Sequence, residues 1–217
     1  IYNWFNNCCG RRTFSKGPLK EINMTKKITF CFDFGSPTVY LASTQLPKIA
    51  ERNSAELEYK PVLLGGIFKA TGNQTPAAIP AKGAYYGVDL PRFAKRYGVP
   101  FQNNPYFPVN TLALMRGAIS YQLEGNFDGY MNTIFDAMWI NPKDMNNPEI
   151  IGEVLTNGGF DPEDFMNRVS DQKVKDLLIQ NTEEAVNKGA FGAPTIFVGE
   201  EMFFGQDRLD FIEEALK

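Results

Sequence analysis

The sequence predicts an α/β fold in which a strand–helix–strand unit comes first, a strand–strand–helix unit comes last, and a long helical block lies between them. Three observations carry the prediction. Residues 28–64 pass from a β-rich run through a helical run to a second β-rich run. Residues 89–188 keep a helical hydrophobic period, and residues 195–216 return to two short strands and a helix.

The first strand is read at residues 28–34 (ITFCFDF), dense in aromatic and β-branched side chains. Gly35-Ser36-Pro37 breaks it: Ser36 has N-cap chemistry, and Pro37 is the residue best tolerated in the first helical position. A helix follows over residues 40–52, with Leu41, Leu46, Ile49 and Ala50 apolar, and then a second strand over residues 57–64 (LEYKPVLL). A crossover of this kind implies a parallel pair. Residues 65–87 are rich in Gly, Pro and Ala and are expected to form a long functional loop. Beyond them, Leu112, Met115, Ile119 and Leu123 share one helical face, as do Val174, Leu177, Leu178 and Val186. Residues 195–198 (TIFV) and 202–204 (MFF) read as short strands at a hairpin-like spacing, and residues 207–216 as a closing helix. This order is that of the thioredoxin fold with a helical insertion between its halves. The thioredoxin-like domain is accordingly assigned to residues 24–88 and 189–217, and the insertion to residues 89–188. Residues 1–23 have no hydrophobic period and no signal-peptide core, whereas Met24 leads directly into the first strand. They are read as an upstream extension or an added tail, expected to be disordered.

The 217 residues are 43% hydrophobic and 22% charged with a formal net charge of −3, which suits a soluble globular protein and gives no general attraction to nucleic acid or an anionic membrane. No run approaches the about 20 apolar residues that a spanning helix needs. The partners expected are therefore a small molecule and a second copy of the chain. Histidine is absent, which excludes a Ser-His-Asp or Cys-His nucleophile pair and any imidazole metal site, and no metal is expected. Of three cysteines, Cys8 and Cys9 are adjacent and Cys31 lies inside the first strand, so the chain has no C-x-x-C dithiol. Cys31 reads as a small buried hydrophobe. The odd, unpatterned count fits a reducing cytoplasm better than secretion.

Four segments carry the chemistry. Ser36 stands where a strand ends and a helix begins, the position at which thioredoxin relatives hold a reactive sulfur. Unpaired N–H groups and the helix dipole favour a thiolate there, but the side chain is a hydroxyl, so the sulfur must arrive with a cofactor. Ser36 would then donate to that thiolate, the alternative being a plain N-cap. Pro194, in Gly192-Ala193-Pro194-Thr195, precedes a strand at a sharp turn; it is expected to be cis, leaving the Ala193 backbone to pair with a bound peptide, against an ordinary trans proline. Gln206 and Asp207 open the last helix, where backbone amides can receive a carboxylate and Asp207 can hold an ammonium or merely cap the helix. Asn73, Lys82 and Tyr85 lie in the Gly/Pro-rich segment; Lys82 could meet a carboxylate or simply be solvated.

Taken in order, Phe32-Asp33-Phe34-Gly35-Ser36-Pro37, Gly72-Asn73, Lys82-Gly83-Ala84-Tyr85, Gly189-Ala190-Phe191-Gly192-Ala193-Pro194 and Phe204-Gly205-Gln206-Asp207-Arg208 resemble the 2-hydroxychromene-2-carboxylate isomerases and their kappa-class glutathione transferase relatives, in the DsbA-like branch of the thioredoxin superfamily. The resemblance runs from about Lys27 to the end. It implies a glutathione-dependent cis-trans isomerase in which Ser36 positions the glutathione sulfur, Ala193 and Pro194 meet its cysteinyl backbone, and Gln206 and Asp207 meet its glutamyl group. Asn73 and Lys82 match further contacts, with Lys82 or Tyr85 facing a substrate carboxylate. Gln206 departs from the serine that kappa transferases tend to carry. The substrate implied is a small aromatic hydroxy acid, the reaction a reversible thiolate addition that frees a double bond to rotate, and the assembly a homodimer. Two rivals remain open at this level: a kappa-like transferase or peroxidase that consumes glutathione, and a non-enzymatic binding module on the same scaffold.

Overall fold

The computed structural model describes residues 26–217, so the reading of residues 1–23 lies outside the described residues. Strand β1 (Lys27–Phe32) is central in a four-stranded sheet of order β2-β1-β3-β4, with β2 at Glu56–Pro61, β3 at Thr195–Val198 and β4 at Glu201–Phe204. It pairs parallel with β2 and antiparallel with β3, which in turn pairs antiparallel with β4. The expected α/β thioredoxin order is therefore present, with ten α-helices among the described residues.

β1 is buried on both faces, and its alternation sorts its side chains into two cores. Phe30 and Phe32, continued by Phe34, enter the larger core with an edge-on aromatic network that includes Tyr59, Phe127 and Tyr130. Cys31 points the other way, into a smaller core with Val62, Ile67, Ala185 and Phe197. The strand ends at Phe32, where the Asp33 carbonyl accepts from the Ser36 N–H in a turn instead of from a neighbouring strand.

The helix expected over residues 40–52 is two helices, α1 (Pro37–Ser43) and α2 (Leu46–Arg52). Pro47 explains the break: it lacks an amide hydrogen, and it sits in the first turn of α2, where that loss is harmless.

The long loop expected over residues 65–87 is the main correction. It holds α3 (Leu64–Thr71), a short 3₁₀ turn (Pro76–Ala78) and the first half of α4 (Pro80–Tyr97). Most of its punctuating residues are placed where a helix tolerates them, Gly87 in the interior of α4 being the exception. Pro76 and Pro80 occupy first turns, and Gly65 and Gly66 lie in the first turn of α3. A Cβ on Gly66 would come within 3.1 Å of the Thr182 methyl, so the missing side chain is what brings α3 against the later helix α9 (Gln172–Asn187).

The remaining helices are α5 (Leu112–Glu124), α6 (Phe127–Phe135), α7 (Pro148–Asn157), α8 (Pro162–Ser170) and the closing α10 (Leu209–Ala215). Between α6 and α7 the chain forms a π turn, Asp136–Ile140, which carries the buried Trp139. Among the described residues no helix is long and apolar enough to cross a membrane.

Candidate functional site

The site is assembled where the carboxyl end of β1 meets the segment before β3. The Ser36 hydroxyl is the N-cap of α1 and donates to the Ala193 carbonyl at 3.0 Å, a contact that spans 157 positions of sequence. The Thr38 hydroxyl lies 2.8 Å from Ser36 Oγ and 3.5 Å from the same carbonyl. The Ala193-Pro194 peptide bond is cis, as the sequence led one to expect. On its far side the Pro194 carbonyl accepts from the Gly205 N–H at 3.1 Å, which brings the Gly205–Arg208 segment to the same centre. Gly205 has φ +94, and a Cβ there would stand 2.6 Å from an Asp207 carboxylate oxygen, so the turn requires glycine.

A second layer of contacts holds the Ser36 turn from beneath. Asp33 is fully buried; one carboxylate oxygen accepts from the Gly35 N–H at 2.8 Å and the other from the Leu64 N–H, at the start of α3, at 2.7 Å. The Thr111 hydroxyl also reaches this carboxylate, and burial pushes its pKa up against those three donors. The Phe34 carbonyl accepts from the buried Trp139 indole N–H at 2.8 Å, and the Phe34 N–H donates to Met115 Sδ at 3.4 Å. The turn that presents Ser36 is thus clamped by α3, α5 and the π turn at once. π turns often mark such functional positions.

The other expected site residues are distributed as follows. Asn73, just past α3, donates to the Phe191 carbonyl at 2.7 Å, tying its segment to the turn that leads to Pro194. Phe191 in turn packs on Phe204 with ring centroids 4.5 Å apart. Gln206 is buried, and its carbonyl accepts from the Tyr97 hydroxyl of α4. Asp207 pairs with Arg208 at 2.7 Å and is not the cap of α10, which begins only at Leu209. Lys82 and Tyr85 lie on the exposed face of α4, not in a loop, and the Tyr85 hydroxyl reaches Asp89 at 3.3 Å. Neither makes a hydrogen bond to Ser36, Ala193 or Asp207. Tyr86 beside them does sense the centre: burial first, then the Asp207 and Asp89 carboxylates, push its phenol up.

Sequence reasoning passed over Asp33, Thr38, Tyr97 and Trp139. Asp33 alone left a signal, as a lone carboxylate closing an apolar strand run; the others act through folding contacts that spacing does not encode.

The comparisons agree with this fold. The family described as DSBA-like thioredoxin domain matches residues 27–217. The chain is 32% identical over 196 residues to a 2-hydroxychromene-2-carboxylate isomerase of Pseudomonas putida, covering 87% of this chain and 93% of that one. It is 28% identical to a glutathione S-transferase kappa 1 of Caenorhabditis elegans, with 88% and 91% covered. A solved 2-hydroxychromene-2-carboxylate isomerase superposes with a TM-score of 0.77 at 29% identity, covering 88% of this chain and 94% of that one. The chain therefore belongs to the DSBA-like thioredoxin family, in its 2-hydroxychromene-2-carboxylate isomerase group.

Proposed function

We propose that this chain is a glutathione-dependent cis-trans isomerase of 2-hydroxychromene-2-carboxylate or a similar aromatic hydroxy acid. The single observation that carries the proposal is the Ser36 hydroxyl held against the Ala193 carbonyl at 3.0 Å, at the head of α1. The donor set around it suits a thiol tripeptide. Ser36 and Thr38 offer hydroxyls for the sulfur, the Ala193–Pro194 turn offers backbone groups beside them, and Asp207 beside the Gly205 turn offers a carboxylate for an ammonium. When bound, glutathione would supply a nucleophilic thiolate that adds to the substrate and is released again, so none is consumed.

The residues of the chain have separate tasks in this scheme. Ser36 turns its proton from the Ala193 carbonyl toward the sulfur and holds it in the charged form. The first amides of α1 reinforce that preference. Thr38, within hydrogen-bond reach of Ser36 Oγ, keeps the hydroxyl pair oriented. Asp207 exchanges its Arg208 partner for the cofactor ammonium, a modest cost because that pair is half exposed. Asn73 and Lys82 face the glycyl end, and Lys82 or Tyr85 the substrate carboxylate.

The test is turnover of 2-hydroxychromene-2-carboxylate, followed by ultraviolet absorbance with and without glutathione, on a chain starting at Met24. Glutathione-dependent conversion that collapses in Ser36→Ala is the expected result. Absence of conversion alongside a glutathione-induced rise in melting temperature would replace the isomerase reading with that of a transferase acting on another electrophile. Absence of both would leave a binding module.

A further inference from the structure

A groove of about 630 Å³ opens between α3, α5 and α9. Its walls are apolar, from Leu63, Leu112 and Leu178 among others, and its rim carries Lys69, Arg116 and Lys175 against the single carboxylate of Glu183. Among the described residues none of these three cations is in an ion pair, although seven other pairs are formed. Arg116 is the most constrained of them: its Nε is buried and has no hydrogen-bond partner among the described residues. A buried guanidinium N–H without an acceptor is expensive, and a bound anion would supply the acceptor. The groove concentrates positive charge in a chain whose net charge is −3, and its volume falls within the range of small-molecule pockets, about 300–1,000 Å³.

The geometry points to a second ligand site here, taking a small organic anion with a flat apolar body and one carboxylate or sulfonate, its charged end on Arg116 and its body between Leu112 and Leu178. The site is distinct from the sulfur centre, because none of its lining residues is Ser36, Thr38, Ala193, Pro194 or Asp207. It nevertheless adjoins that centre. Leu63 and Leu112 are the chain neighbours of Leu64 and Thr111, which both hold the Asp33 carboxylate. This goes beyond the proposed isomerase reading and stands independently of it.

The experiment is calorimetric titration of the full chain with 2-naphthoate, and with the neutral 2-naphthamide as comparator. Saturable binding of about one equivalent of 2-naphthoate is expected, with the amide weaker by about tenfold or more, since it brings no charge to Arg116. Arg116→Met should weaken 2-naphthoate by about tenfold or more while keeping the near-ultraviolet circular dichroism, and Arg116→Lys should fall between the two. If Arg116→Met does not fold, Lys69→Glu on the exposed face of α3 carries the same test through the field at the rim. Millimolar glutathione should leave the affinity unchanged. Equal binding of acid and amide, or binding that survives Arg116→Met and Lys69→Glu, would overturn the proposal. So would competition by glutathione, which would place the probe at Ser36. Sedimentation at the same concentrations covers the remaining case: binding that appears only on dissociation of a dimer would make a second copy the occupant.

Discussion

Ser36, Asp33 and Cys31 lie within six positions of one another, yet their surroundings assign them unlike roles. In the proposed scheme Ser36 holds the sulfur, and truncating it to alanine removes the shorter of the two hydroxyl contacts, from Ser36 and Thr38, that join the head of α1 to the Ala193 carbonyl. Turnover in Ser36→Ala is expected to fall by about a hundredfold, the usual scale for a lost charge-stabilising donor, with the melting temperature moving little. Asp33 does its work without touching the sulfur. Its pKa is raised by burial, so over the window between its ordinary and its folded pKa the native state binds more protons than the unfolded chain. Its contribution to stability is therefore largest in acid and is lost as pH rises through the folded value. Thermal melts over a pH series should show the wild type gaining on Asp33→Asn as pH falls; a gain in the other direction would mean that the three donors outweigh burial. Cys31 is the inert member. Burial pushes its thiol up to about 12, so a chain starting at Met24 should give no thiol titre with an aromatic disulfide reagent at neutral pH until denaturant is added.

At the level of elements, the helices are held to one another by close approaches that only small residues permit. Gly117 in the middle of α5 is the clearest. A Cβ there would stand 2.2 Å from the Tyr130 hydroxyl and 2.7 Å from the Phe165 ring, and Tyr130 is itself anchored by donating to the Leu114 carbonyl at 2.9 Å. Gly117→Ala, which would favour an isolated helix, is instead expected to destabilise the protein by about 1–3 kcal/mol through overpacking, read from chemical denaturation. α3 and α9 show the same logic with polar groups added. The Thr182 hydroxyl accepts from the Leu63 N–H at 2.9 Å and donates to the Leu178 carbonyl at 2.7 Å, so α3 is docked at its N-cap.

Across the whole molecule, the sheet supplies the site and the helical block sets its geometry. Trp139 lies more than a hundred positions from Phe34 in the chain, yet its indole N–H is the partner of the carbonyl just before the Gly35-Ser36 turn. Trp139→Phe keeps an aromatic ring in place and leaves that carbonyl unpaired, at a cost of about 1–3 kcal/mol. The turn should loosen with it. Turnover is expected to fall more than glutathione affinity, as measured by separate kinetic and calorimetric titrations. An equal fall in both would place Trp139 in general stability instead.

Much of this was legible in the residues themselves. The strand runs, the helical periods and the Ser36 and Pro194 segments depend on local composition and on signals a few residues apart, which is why their order could be read directly. Residues 65–87 read as a loop because Gly and Pro break an isolated segment, whereas here Gly65, Gly66, Pro76 and Pro80 sit in first turns, Gly72 caps α3 and Gly87 is carried inside α4. What only the tertiary structure decided was which distant groups meet: Ser36 with Ala193, Asp33 with Leu64 and Thr111, Phe34 with Trp139, and the three cations around one groove. Those meetings depend on how α3, α5 and α9 pack on the sheet, and packing is a property of complementary surfaces that no local pattern records.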